Sequence, residues 1–145
     1  MKRKSSLSIT WLLALTMSLL NPSHSSAALD ENELRIGQKF EIVGPLYAHG
    51  VCDDLRSREL SIISLVPLRL RGSEILSQEL VPIGSILTVV DKAPNRVFAF
   101  LYPDRYVVHV NTIAAPAGIP VVIDLSRGIE GKLTLLNPTI FKPLF

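Results

Sequence analysis

Apolar and polar positions alternate most regularly between Val81 and Asn111, and the rest of the chain reads most simply as strands arranged around that stretch. Turn signals divide it in two places, at Asp91-Lys92-Ala93-Pro94-Asn95 and at Tyr102-Pro103-Asp104-Arg105. The spacing therefore predicts three consecutive antiparallel strands. A tight or four-residue turn at Tyr102 to Arg105 places Leu101 opposite Tyr106. That register puts Val97, Ala99, Leu101, Tyr106, Val108 and Val110 on one wholly apolar face, the expected core. The other face carries Phe98, Phe100, Tyr102, Arg105, Val107 and His109. Three aromatics in a row on a face turned to water need a cover. The cover is either the apolar tail around Phe141, Leu144 and Phe145 (or a second sheet), or a partner. In the second case Phe98, Phe100, Tyr102, Asp104, Arg105 and His109 form the candidate partner-binding surface, with Arg105 and His109 supplying directed polar contacts.

Shorter periodic stretches flank this centre. Phe40 and Ile42 alternate with Lys39 and Glu41, and Gly44-Pro45 ends that strand. Gly50 to Ser61 is the most polar interior run, a loop or one helical turn, with Asp53 or Asp54 placed to cap it. Ile62 to Arg71 returns to strand character, with Ile62, Ser64, Val66, Leu68 and Leu70 as the better core parity. Pro67 cannot donate to a ladder, which predicts an edge strand or a bulge there. Glu74 to Leu80 fits a short strand or a helical turn equally. Ile119 to Leu125 and Lys132 to Leu136 are further strands, and alternation turns Asp124 outward. No sustained helical period appears after the amino-terminal segment. Short strands every 8 to 12 residues or so predict an all-β fold, a small antiparallel, partly open barrel or sandwich of the SH3-like or OB-like kind. Strand pattern alone carries that likeness, and a fold of this kind does not imply a function.

The amino terminus sets the compartment. Lys2, Arg3 and Lys4 precede an apolar run from Leu7 to Leu20, and Ser25-Ser26-Ala27 supplies the small residues that a signal peptidase reads. The run is shorter than the roughly 20 residues of a spanning helix. The expectation is a signal helix in residues 1–27 that is cleaved, a periplasmic or secreted protein, and no stable membrane span afterwards. A polar lead over 28–36, one β domain over 37–138 and a docked tail over 139–145 would then make up the mature chain.

Cleavage changes the charge balance. Three of the 15 basic residues leave with the signal while all 13 acidic residues stay, so the mature chain has 12 against 13 and a net charge of −1. The basic precursor therefore gives no reason to invoke nucleic acid. Cys52 is the single cysteine, so no intrachain disulfide staples the fold and an apolar core must hold it.

Candidate chemistry is sparse. The one combination resembling a nucleophilic site is Cys52 with His49 or His109 and a carboxylate from Asp53 or Asp54. Metal ligands at useful spacing, calcium loops and Gly-rich phosphate loops are missing, so no metal or cofactor is expected. These observations point to a non-catalytic binding module that engages a protein or cell-envelope component, alone or as a homo-oligomer. A small secreted hydrolase or thiol enzyme using Cys52 is the alternative.

Overall fold

The computed structural model describes residues 34–93, 105–125, 131–132 and 135–145. They form ten strands: β1 (Lys39–Ile42), β2 (Tyr47–Val51), β3 (Ile62–Val66), β4 (Ile75–Leu80), β5 (Ile86–Lys92), β6 (Arg105–Val110), β7 (Val121–Asp124), β8 (Gly131–Lys132), β9 (Leu135–Leu136) and β10 (Phe141–Leu144). Eight of them make one sheet in the order β10-β1-β5-β6-β7-β3-β2-β4, and β8 pairs with β9 separately. The chain is therefore all-β, with no helix among the described residues, and so none long and apolar enough to cross a membrane.

Two expectations about architecture need correction. The sheet does not close into a barrel: β10 and β4 are its ends and do not pair with one another. It is also mixed, because β3 runs parallel to β7 (Ile63 beside Val121, Leu65 beside Ile123) while its other pairings are antiparallel.

One face of this sheet supplies most of the core. Phe40 and Ile42 of β1, Leu87 and Val89 of β5, and Tyr106, Val108 and Val110 of β6 are all buried in the same cluster as Val121 and Ile123 of β7 and Ile63 and Leu65 of β3. Alternation explains the outer strands of this set, since each puts every second side chain inward. A single sheet can gather residues from seven strands into one cluster only by curling strongly around them, and the right-handed twist of strands permits this. The β5–β6 register slips between Val89 and Asp91, which leaves Val90 unpaired and 47% exposed. An extra residue of that kind bends the strand it sits in.

The adjacent interior strands β7 and β3 are buried on both faces. All four residues of β7 are buried, and in β3 only Ser64 is not. Pro67 thus does not mark an edge. It lies just past the end of β3, which sits between β7 and β2. Nor is the expected parity of β3 the main core face. Ile63 and Leu65 enter the cluster, while Ile62 and Val66 are buried on the opposite side and Leu68 is 53% exposed.

The burial behind β2 comes from a crossover. β3 and β4 flank β2 on either side, both antiparallel to it. Val66, at the end of β3, lies beside Tyr47, whereas Ile75, at the start of β4, lies beside Val51. Residues 67–74 must therefore run back along the whole length of β2. His49, fully buried, marks the path, because its Nε2 accepts the Leu70 N–H at 3.2 Å. The Arg69 guanidinium lies 5.4 Å from the centre of the Tyr47 ring. At the far end of the crossover the Cys52 N–H donates to the Glu74 carbonyl at 2.9 Å.

The expected central meander is corrected at its middle. Tyr106 lies between Lys92 of β5 and Ile123 of β7, so it has no edge left for Leu101. In place of three neighbouring strands in sequence, β5 pairs directly with β6. The strand expected over Val97 to Leu101 falls outside the described residues, as does the signal segment.

The carboxyl-terminal residues form the edge strand β10, with Phe141 opposite Ile42 and Pro143 opposite Phe40. Phe141 is buried in the core, whereas Leu144 is 37% exposed and Phe145 is fully exposed. The tail thus extends the β1 end of the sheet.

Candidate functional site

Of the residues read from the sequence as a binding surface, Phe98, Phe100, Tyr102 and Asp104 lie outside the described residues. Arg105 and His109 are described, and both sit on the outward parity of β6 with Val107 between them. Arg105 is committed to the fold. It stands opposite Asp124 across the β6–β7 pair, with its Nη2 3.4 Å from Asp124 Oδ2. Asp124 was expected to face water; it is buried, and this cation explains how a carboxylate is tolerated there. His109 is exposed opposite Thr88.

Of the candidate nucleophilic set, Cys52 and His109 lie on well-separated strands. Cys52 is buried just beyond β2, and His109 is exposed on β6. Three strand spacings separate those strands, about 14 Å. His49 is nearer in sequence, but its Nε2 is already engaged, accepting the Leu70 N–H at 3.2 Å and lying 3.1 Å from the Gln78 side-chain amide. Among the described residues no group of three His, Cys, Asp or Glu is placed to hold a metal ion.

What the sequence did not reveal is the β4 end of the sheet. Among the described residues only β2 pairs with β4, so within them the other side of β4 is an open edge. The β2–β4 register shifts between Gly50 and Val51, leaving Leu76 as the extra residue. Beyond that bulge Ser77 to Leu80 run in regular register with Gly50 to Tyr47, and all four are exposed. An outer edge of this kind presents backbone N–H and C=O groups ready to pair with another strand.

A groove lies beside that edge. Ser77 and Glu79 share the inward parity of β4, opposite Gly50 and Ala48. Ala48 and Gly50 are small, so the sheet surface over β2 is low. The resulting groove, of about 300 Å³, has Ala48, Gly50 and Ile63 as its floor, Leu60 at one end, and Ser77 and Glu79 along one wall. The opposite wall is Thr112 to Ala114. A Cβ at Gly50 would stand 2.5 Å from Ser77 Oγ and 3.0 Å from Leu60 Cδ1, so any larger residue there would make those side chains shift and fill the groove.

The far wall is firmly built. Ser85 and Thr112 share a hydroxyl hydrogen bond of 2.7 Å, the Ile86 N–H donates to Asn111 Oδ1 at 2.8 Å, and the Ile113 N–H donates to the Val110 carbonyl at 3.0 Å. Glu79 is the one ionisable side chain lining the groove, and its carboxylate makes no hydrogen bond or ion pair among the described residues. The signals that could have found this region are the small pair Ala48 and Gly50 in an otherwise apolar stretch and the polar Ser77-Gln78-Glu79 run.

No protein-family model matches the chain, and neither a curated protein nor a solved structure is significantly similar to it. The functional reading therefore rests on the geometry of the chain itself.

Proposed function

We propose that this chain is an exported, non-catalytic binding module that engages a protein partner of the cell envelope by adding a strand of that partner to β4. The observation that carries the reading is the open, exposed and regular edge from Ser77 to Leu80. In strand addition, main-chain hydrogen bonds provide affinity and the pockets beside alternate side chains provide selectivity. β4 offers both, an outer edge unpaired among the described residues and a groove along its inward parity. The crossover behind β2 holds the edge in place through His49, so little ordering is required when a guest strand arrives. Export is supported by the charged residues Lys2 to Lys4, the apolar run that follows and the small residues up to Ala27. The separation of Cys52 from His109 supports a non-catalytic role.

The test is capture from an envelope extract by the mature protein, followed by amide hydrogen exchange on the purified complex. Protection should rise at Ser77 to Leu80. The double variant Ser77→Lys, Leu80→Lys should keep its circular dichroism spectrum and lose capture, since edge lysines obstruct strand pairing. Undiminished capture by this variant would reject the β4 reading. If Phe100→Ser with Tyr102→Ser abolishes capture instead, with the fold intact, the surface around the Tyr102 to Arg105 turn is the site.

A further inference from the structure

We infer that the strand accepted by β4 carries a lysine or arginine at the position facing Glu79, at the rim of the groove; this rests on the strand-addition reading above. Neighbouring strands lie about 5 Å apart, so the backbone of a guest beside β4 is about 10 Å from β2. The groove floor belongs to Ala48 and Gly50 of β2. A guest side chain directed toward that floor meets Glu79 first, on the intervening strand β4. Glu79 is the charged group of the groove, and among the described residues no cation neutralises it. Residues directly opposite across a strand pair have Cβ atoms about 5 Å apart, close enough for opposite charges to stabilise the pair and like charges to weaken it. The unneutralised carboxylate therefore selects lysine or arginine, the two side chains that carry a permanent cation on a long apolar stem.

The same argument disfavours a second copy of this chain as the guest. The strand Ile75-Leu76-Ser77-Gln78-Glu79-Leu80 has no lysine or arginine, so pairing β4 with its own copy brings a second Glu79 carboxylate and no cation.

Three labelled eight-residue peptides of alternating threonine and valine, with lysine, methionine or glutamate at one central position, provide the test. Fluorescence anisotropy against the exported protein should show the lysine peptide binding about fivefold tighter than the glutamate peptide, with methionine between them. The preference should shrink as salt is raised. Glu79→Gln should bring the three affinities within about twofold of one another, and Glu79→Lys should invert their order. Equal affinities in the unaltered protein, with β4 amides protected by every peptide, would overturn the charge inference and leave strand addition standing. If none of the peptides binds or protects the β4 amides, both readings fall. If sedimentation shows a dimer whose β4 amides are protected without peptide, a second copy is the guest and the inference is overturned.

Discussion

Phe141→Ala tests whether the carboxyl-terminal strand is part of the core or merely lies against it. Phe141 is 1% exposed, belongs to the main cluster and stands opposite Ile42 in the β10–β1 pair. Truncating a buried phenylalanine costs about 3–5 kcal/mol, the removed transfer energy plus the cavity left behind. An apolar crevice of about 180 Å³ already adjoins the ring, between Leu34, Phe40, Leu136 and Pro143. The ring therefore has an incomplete shell of neighbours on that side, and fewer contacts are lost, which places the cost near the lower end, about 3 kcal/mol. With a urea slope of about 1.5 kcal/mol per molar, the unfolding midpoint should fall by about 2 M. The comparison lies within the same strand and its end. Leu144→Ala, at a residue 37% exposed, and Phe145→Ala, fully exposed, should each change stability by no more than about 0.5 kcal/mol. Urea titrations followed by circular dichroism, with the same slope for all variants, make the comparison direct. A Phe141→Ala loss below about 1 kcal/mol, or equal losses at all three positions, would refute the reasoning and show that the tail is not integral to the sheet.

Two further outcomes follow from the region behind β2. His49→Leu removes the acceptor for the Leu70 N–H, a bond of about 1 kcal/mol, so exchange of the Leu70 amide should accelerate about fivefold while the amides of β6 and β7 are unchanged. Cys52, 3% exposed, should react with iodoacetamide only after denaturation, and fast modification of the native protein would favour the thiol-enzyme alternative.

How far the fold was legible depended on how many neighbours each strand has. Where one face is buried and the other is not, as in β1 and β6, period-two alternation identified Phe40, Ile42, Tyr106, Val108 and Val110 correctly as inward residues. In β3 and β7 the signal failed because both faces are covered. Ile62 and Ile63 are equally buried, so parity carries no information, and Asp124 looked outward until its Arg105 partner was known. Pairing was less legible than strand identity. A hairpin register assumes that consecutive strands are neighbours, and Tyr106 shows that assumption failing, with β5 and β7 on its two sides. The parallel β3–β7 junction joins segments more than fifty residues apart, which local pattern does not encode. The candidate site was missed for a related reason. Its groove depends on small residues in β2 lying beside polar residues in β4, and their juxtaposition is created by the crossover of residues 67–74.

The two ends of the sheet carry the strongest argument for where a partner binds. Both are edges, and an unprotected edge invites unwanted pairing unless the sequence obstructs it. β10 is obstructed: it is four residues long, Pro143 lacks an N–H, and Lys142 places a cation there, 3.6 Å from Glu41 of β1. Any strand approaching that side meets a missing donor and a charge within two residues. β4 has neither proline nor lysine, and its one irregularity, at Leu76, lies before the exposed run. Short length does not explain the difference, because β4 is the longer of the two. Among the described residues one edge is obstructed and the longer one is open, beside a groove with a single unpaired carboxylate, and this difference supports the proposal that β4 is kept available. Under the proposed strand addition, pairing with a chosen strand uses this edge, and Glu79 lets the choice be made.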